Sequence, residues 1–163
     1  MKAWPALAAL LILAPPLPAH AEDPPGFADT PWGAARRDVV AKLVKDKCSW
    51  SVTIRKPEGD TIACYDYALG AVGSVLVNLE FVDDQFQRYT IVASNRRLPE
   101  FRAWVRQQFG EPTTIMQLTG EVATWDWPSG ATALFRQHCL TSSEACFTLS
   151  APPGRSSPSA SRH

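Results

Sequence analysis

The chain has 163 residues, of which 45% are hydrophobic and 20% charged, and its 16 basic and 16 acidic side chains give a formal net charge of zero. This length is enough for one compact domain with its own core. The balanced charge argues against a dedicated nucleic-acid-binding protein, because such proteins usually carry a strong basic excess.

The first 21 residues have the pattern of a secretory signal peptide. Lys2 precedes an apolar run from Ala6 to Ala14, and residues 19–21 have the small-x-small sequence Ala-His-Ala. The run is shorter than the roughly 18 residues of a membrane-spanning helix, and no later stretch reaches that length. We therefore predict cleavage before Glu22, a periplasmic or secreted protein, and no transmembrane segment. No cysteine lies near the cleavage site, which disfavours a lipid anchor.

The two ends of the exported chain are poor in residues that could form a core. Residues 22–34 are rich in Pro and Gly and predict an extended N-terminal arm. Residues 152–163 are rich in Pro and Ser and predict a disordered tail. The intervening residues 35–151 are predicted to form a single domain.

The first predicted helix runs from Ala35 to about Asp46. Ala35 stands where a capping Ser or Thr is expected. The apolar residues that recur at helical spacing are Val39, Val40, Leu43 and Val44. Two strands, CSWSVTI (residues 48–54) and TIACYDYAL (residues 61–69), are then predicted on either side of the turn-forming sequence KPEGD.

The clearest hairpin of the sequence follows. Apolar residues alternate with polar or smaller ones over residues 75–81, Asp83-Asp84-Gln85 interrupts the run, and FQRYTIV (residues 86–92) resumes it. A turn centred on Asp84 predicts which residues share a face. The expected opposed pairs are Phe81 with Gln87, Leu79 with Tyr89, and Val77 with Ile91.

The second predicted helix has clear signals at both ends. Pro99 suits a first helical position, and Gly110 can end the helix before Pro112 prevents its continuation. Between them Phe101, Val105 and Phe109 recur every four residues. Trp104 widens the same apolar stripe.

Three or four further strands are predicted after this helix. MQLTGEVATW (residues 116–125) turns near Gly120, WDWPSGATALF (residues 125–135) turns around Ser129, and CFTLSA (residues 146–151) ends the domain. The turn at Ser129 sets large residues opposite small ones, as close packing requires. The expected pairs are Trp127 with Ala131, Trp125 with Ala133, and Ala123 with Phe135.

One helix followed by several strands, twice in succession, predicts an α+β fold. We expect two helices packed on an antiparallel meander sheet, an arrangement compatible with two tandem helix-plus-strands units.

Several short patterns resemble those of small exported bacterial proteins of unknown function: TPWG (residues 30–33) before RRDVVAKL (residues 36–43), and FRAWVRQQFGEPTTI (residues 101–115) before WDWPSG (residues 125–130). The helix-plus-meander order is similar to outer-membrane assembly lipoproteins of the BamE type and to beta-lactamase inhibitor proteins, which contain two such units. The chain lacks the lipidated cysteine of the assembly lipoproteins. The resemblance implies a binding or assembly role without enzyme activity. The positions that carry it are Trp32, Gly33, Val39, Leu43, Phe109, Gly110 and Pro112.

All four cysteines lie in the exported part of the chain. An even number of cysteines in an oxidising compartment indicates disulfides. Three pairings are possible, and proximity in the sequence favours Cys48 with Cys64 and Cys139 with Cys146.

The last two cysteines belong to HCLTSSEAC (residues 138–146). A turn centred between Ser142 and Ser143 predicts that Cys139 and Cys146 oppose each other at a distance suited to a disulfide. The same register sets His138 opposite Phe147 and Arg136 opposite Leu149, and leaves Phe135 on the other face. A bulge in the loop, or a last strand buried on both sides, would resolve this conflict.

The sequence predicts no catalytic residue, no metal site and no cofactor. His138 is the only histidine of the exported chain besides the terminal His163. A Cys-His nucleophile at His138 and Cys139 would need a free thiolate, which a disulfide removes. A zinc site from these residues and Cys146 lacks the paired ligand spacing of structural zinc sites.

Two surfaces are candidates for binding. The arginine cluster, namely Arg96, Arg97, Arg102 and Arg106, could contact an acidic protein, anionic lipid headgroups or cell-wall polymers, and the alternative is a solvated helix face. The tryptophan platform, namely Trp125, Asp126 and Trp127, could stack on a ligand, and the alternative is a pair of core tryptophans with Asp126 in solvent.

We therefore expect an exported, non-enzymatic binding or envelope-assembly accessory protein with a protein or envelope partner. The alternatives are a small ligand-binding module that uses the tryptophans and a small hydrolase without a recognisable motif.

Overall fold

The structure is a computed structural model that describes residues 23–154, apart from the side chain of Asp46. The predicted signal peptide and residues 155–163 of the predicted tail lie outside the described residues.

Among the described residues, two helices lie where the sequence predicts them. Helix α1 (residues 36–47) consists of an α-helical turn Arg36–Val39, a π-helical segment Val40–Val44 and a last α-helical turn Lys45–Lys47. Helix α2 is the α-helix Leu98–Phe109, with Pro99 in its first turn. Gly110 follows α2 with a φ of 73°, a conformation that costs glycine little and that ends the helix.

The described part of the chain contains eight strands in one antiparallel sheet, which confirms the α+β fold. The strand bounds are β1 Trp50–Lys56, β2 Gly59–Ala68, β3 Ser74–Val82, β4 Gln85–Ser94, β5 Thr114–Gln117, β6 Glu121–Asp126, β7 Thr132–Arg136 and β8 Glu144–Ser150. The sheet order is β1-β2-β3-β4-β8-β7-β6-β5. Each half of the chain therefore forms a four-stranded meander, and the last strands of the two meanders, β4 and β8, pair at the centre.

The register of the β3-β4 hairpin is confirmed except next to its turn. Leu79 opposes Tyr89 and Val77 opposes Ile91, but Phe81 opposes Phe86 and not Gln87. The reason is the tight two-residue turn at Asp83 and Asp84, which have φ values of 50° and 63°. That turn pairs Val82 with Gln85, and a bulge after Glu80 restores the expected register further along.

The predicted pairing around Ser129 is confirmed, whereas the pairing of the last two strands is wrong. Trp125 opposes Ala133 and Ala123 opposes Phe135. In β7 and β8, however, Phe135 opposes Phe147, and Ala133, not Arg136, opposes Leu149. This register places all four of these side chains on the buried face.

One face of the sheet packs against the helices and the other lies open. Helix α1 buries Val39, Leu43 and Val44, and α2 buries Phe101, Val105 and Phe109. The ring of Phe101 contacts Phe135 with centroids 5.8 Å apart, and Phe109 stacks on Phe147 at 4.8 Å. Aromatic contacts of this kind add to the stability that buried area already provides.

The segment predicted as an extended arm packs on the core from Phe27 onward. Phe27 is buried against Tyr67 and Tyr89, with ring centroids 5.1 and 4.9 Å apart. Trp32 stacks on Phe86 at 5.1 Å, and its indole N–H donates to the carbonyl oxygen of Pro24 at 3.0 Å. At the other end Pro152 is also buried, so the packed chain extends one residue into the predicted tail.

Candidate functional site

The arginine cluster is largely paired with acidic side chains of the same chain. Arg96 alone has no side-chain ion pair or hydrogen bond within residues 23–154. The pairs are Arg97 with Glu100 at 3.4 Å, Arg102 with Glu121 at 3.3 Å, and Arg106 with Glu111 at 3.7 Å. Because each glutamate offsets one guanidinium, the cluster presents less positive charge to a partner than its sequence indicates.

The tryptophan platform is divided between the two faces of the sheet. The side chains of Trp125 and Trp127 are only 2% and 6% exposed, and the indole N–H of Trp125 donates to the carbonyl oxygen of Gly110 at 3.1 Å. Asp126 lies on the opposite, open face and is exposed. The two rings therefore have the environment of core residues, and neither is accessible for stacking on a ligand.

Both predicted disulfides are confirmed. Cys48 pairs with Cys64, which ties the end of α1 to β2, and the Cα atoms are 5.3 Å apart. Cys139 pairs with Cys146 at a Cα distance of 5.8 Å. The two cysteines are not opposed across a hairpin as predicted, because Arg136 opposes Cys146. Residues 139–146 instead form a disulfide-closed segment that we call the stapled loop.

Hydrogen bonds from outside hold the stapled loop in place. The side-chain amide of Asn95 donates to the carbonyl oxygen of Ser142 at 2.9 Å, and its main-chain N–H donates to that of Ser143 at 2.8 Å. Nδ1 of His138 also donates to the carbonyl oxygen of Ser142, at 3.0 Å. His138 therefore supports the loop, and its neighbour Cys139 has no thiol that could serve as a nucleophile.

The open face of the sheet carries a groove of about 600 Å³ across β4, β8, β7 and β6. The strand register brings polar side chains from these four strands together on this face. The polar residues of the groove include Arg88, Thr90, Asp126, Thr132, Arg136 and Thr148. The stapled loop closes one end of the groove with Cys139 and Leu140.

Charges lie towards the ends of the groove and hydroxyl groups at its centre. Thr90 and Thr148 share a hydrogen bond of 3.0 Å between their hydroxyl oxygens. Asp126 opposes Thr132, which precedes Arg136 by four residues on β7, a separation of about 13 Å along the strand. The exposed side chains of Asp126 and Arg136 have no ion pair within residues 23–154. They are thus available to charged groups of a partner.

Leu140 is the most exposed large hydrophobic residue beside the groove, with 70% of its surface accessible. It follows Cys139 directly in the stapled loop, so the disulfide limits the motion of its main chain. An exposed leucine on a restrained loop loses little conformational freedom when a partner covers it.

Two tyrosines have perturbed acidity, and both lie on the helix-facing side of the sheet with Phe27. Burial raises the pKa of Tyr89 well above its ordinary value. Burial also raises the pKa of Tyr67, and the negative charge of Asp29 adds to this effect. In both cases the neutral phenol is favoured, as expected for aromatic core residues.

Within residues 23–154 no three His, Cys, Asp or Glu side chains are grouped closely enough to hold a metal ion. No helix in that part of the chain has the length and hydrophobicity needed to cross a bilayer.

Sequence reasoning missed the groove and Leu140. The alternation of Thr90, Thr132 and Thr148 with apolar residues marks a polar face on each strand. The sequence does not reveal that β4 lies beside β8, however, and this pairing is what joins the polar faces into one surface.

Comparisons of the chain with protein-family models, with curated proteins and with solved structures give no match. The similarity to BamE-type lipoproteins and beta-lactamase inhibitor proteins therefore stays a prediction from the sequence.

Proposed function

We propose that this chain is an exported, non-enzymatic binding protein that holds a protein partner in the groove on the open face of its sheet. The observation that carries the proposal is the 70% exposure of Leu140 on a disulfide-closed loop at the end of that groove. Burying a leucine side chain contributes about 1.5 to 3 kcal/mol, so this one contact could supply a substantial part of the binding free energy.

Charge supports a directional contact with the partner. Asp126 on β6 and Arg136 on β7 offer opposite charges that are separated by about 13 Å along the strand direction. Charges arranged in this way fix the orientation of a partner and exclude a reversed one. The groove therefore combines an apolar contact at one end with two polar contacts of opposite sign.

The two disulfides support a location in an oxidising compartment, since such bonds are rare in the cytosol. Together with the signal-peptide pattern of residues 1–21, they support a role in the bacterial envelope or outside the cell. We also infer that the chain consists of two tandem helix-plus-strands units. The supporting observation is that each helix precedes its own four-stranded meander.

Site-specific photocrosslinking tests the proposed surface. A photoreactive amino acid at position 140 should give a covalent adduct with an envelope protein when the chain is produced in its native host. The matched control is position 82, because Val82 is also exposed but lies outside the groove. Adducts of equal yield from both positions, or no adduct from position 140, would contradict the proposal.

Charge reversal distinguishes the groove from the arginine cluster. Arg136→Glu should reduce recovery of the partner with the purified chain, whereas Arg96→Glu should leave it unchanged. Both arginines are exposed and lack an ion pair within residues 23–154, so the two variants are matched. The reverse result would make the arginine cluster the partner surface.

A small ligand is the second candidate, because a groove of about 600 Å³ lies within the usual volume range of small-molecule sites. A ligand in the groove should raise the melting temperature of the wild-type chain but not that of Arg136→Glu. If a protein partner is recovered and no compound of a panel raises the melting temperature, the first candidate is favoured.

A further inference from the structure

A second exposed surface lies at the other end of the sheet, far from the groove in strand order. Strand β1 is an edge strand, and all seven of its residues are exposed. Trp50, Val52 and Ile54 have 53%, 41% and 45% of their surface accessible. A long edge strand with apolar side chains is a ready template for pairing with another strand.

The apolar residues of β1 share one face. Side chains alternate along a strand, so Trp50, Val52 and Ile54 lie on the open face of the sheet and Ser51, Thr53 and Arg55 on the other. The indole of Trp50 stacks on the ring of Tyr65 in β2 with centroids 3.7 Å apart. This contact holds the large ring in a defined position at the edge.

The free main-chain groups of β1 can be assigned from its hairpin. Two residues connect β1 to β2, so the closing pair Lys56 and Gly59 bond to each other. Hydrogen-bonding direction alternates along an antiparallel strand. The N–H and C=O groups that point away from β2 are therefore those of Ser51, Thr53 and Arg55.

We propose that β1 pairs with β1 of a second copy of the chain, in antiparallel orientation, about a two-fold axis at Thr53. The two sheets then join into one continuous sheet, and every contact occurs twice, as in other two-fold dimers. The outward N–H and C=O groups of Thr53 form hydrogen bonds with those of Thr53 in the second copy. The outward groups of Ser51 do the same with those of Arg55 in the second copy.

This register is self-complementary. Val52 opposes Ile54 of the second copy, which covers apolar surface on both strands. Lys56 opposes Trp50 of the second copy, where an ammonium group can contact the indole face. No like charges oppose each other, whereas a parallel arrangement would set Arg55 against Arg55. Charge and hydrophobicity thus favour an antiparallel partner with this same sequence.

The opposite edge of the sheet does not offer an equivalent surface. Strand β5 has only four residues, and its exposed Ile115 and Met116 are adjacent and so lie on opposite faces. Short edge strands are a common protection against pairing. The dimer is therefore assigned to β1, and β5 provides a control.

Sedimentation of the exported chain over a range of concentrations tests the dimer. A reversible monomer–dimer equilibrium is expected, and Val52→Lys should raise its dissociation constant about tenfold or more, because two apolar pairs are lost per dimer. Val82→Lys introduces the same change at an exposed valine outside β1 and should leave the constant unchanged. A monomer at every concentration, or a dimer that Val52→Lys does not weaken, would overturn the proposal.

Disulfide crosslinking tests the register. In the proposed dimer the two Thr53 residues oppose each other as a hydrogen-bonded pair with Cα atoms about 5.5 Å apart, within the range of a disulfide. Thr53→Cys should therefore form a covalent dimer rapidly on mild oxidation, and Thr114→Cys in β5 should not. Equal rates for the two variants would refute the assigned register. Circular dichroism of each variant verifies that the monomer keeps its fold.

Discussion

Removal of the Cys139–Cys146 disulfide should destabilise the chain. The size of the loss depends on the number of residues in the loop that the disulfide closes. The two cysteines are seven residues apart, and in the chain-entropy relation a loop of this size gives about 2.5 kcal/mol. Cys48 and Cys64 are 16 residues apart, for which the same relation gives about 3 kcal/mol. We expect Cys139→Ala with Cys146→Ala to lower the free energy of unfolding by the smaller amount.

The stapled loop should keep its native conformation without the disulfide. Asn95 holds the carbonyl oxygens of Ser142 and Ser143 through hydrogen bonds that do not involve sulfur. The loss should therefore arise mainly in the unfolded state, which gains freedom when the crosslink is absent. The unfolded chain without the crosslink should also expose more surface to solvent, which should raise the denaturant m-value slightly.

Urea unfolding followed by tryptophan fluorescence measures this effect, because Trp125 and Trp127 are buried in the folded chain and become solvated on unfolding. The control is the double variant Cys48→Ala with Cys64→Ala, which should lose slightly more stability. A loss below about 1 kcal/mol for the stapled loop would refute the loop-entropy reasoning. A loss above about 5 kcal/mol would show that the loop itself supports the core.

Three further predictions concern the core, a turn and the pH dependence, and urea unfolding tests each of them. Phe101→Ala removes a fully buried ring and should cost about 3 to 5 kcal/mol. Gly59→Ala should be more damaging than Gly70→Ala, because a Cβ at Gly59 overlaps the main-chain oxygen of Phe81, whereas a Cβ at Gly70 meets only open space. Burial raises the pKa of Tyr89 above its unfolded value of 10.0, so folding favours the neutral phenol. Stability should therefore hold below about pH 10 and fall above it, by up to about 1.4 kcal/mol per pH unit, and Tyr89→Phe should reduce this fall.

Elements with local signals were predictable from the sequence. Pro99 and Gly110 mark both ends of α2 because one lacks an N–H and the other tolerates a positive φ. The turn around Ser129 is short, so one assumption about its centre fixes the pairing of β6 with β7. In both cases a few adjacent residues decide the backbone conformation.

Features that depend on distant contacts were not predictable. The pairing of β4 with β8 joins residues about 60 positions apart, and no local pattern specifies it. The N-terminal arm has the composition of a loop, yet Phe27 and Trp32 complete an aromatic cluster around Tyr89. Composition alone cannot show that the core has a space for these two rings.

At the candidate sites too, features with a local sequence pattern were predictable and features that depend on distant contacts were not. Strict alternation placed Asp126 on the face opposite Trp125 and Trp127, as the core interpretation expects. The arginine cluster looked uncompensated because one of its glutamates, Glu121, lies on β6 and another, Glu111, beyond the end of α2. A charge pattern read along one helix therefore overstates the charge that a folded surface presents.

The stapled loop connects the packing of the core with the proposed binding surface. In a symmetric hairpin with Cys139 opposite Cys146, Leu140 would pair with Ala145 and Phe135 would leave the buried face. The observed pairing of Phe135 with Phe147 shortens the ladder so that it ends at Arg136 opposite Cys146. The chain beyond Arg136 must then form a loop, and that loop exposes Leu140 beside the groove. Because burial of Phe135 and exposure of Leu140 follow from one register, substitutions that shift this register should weaken the core and the binding surface together.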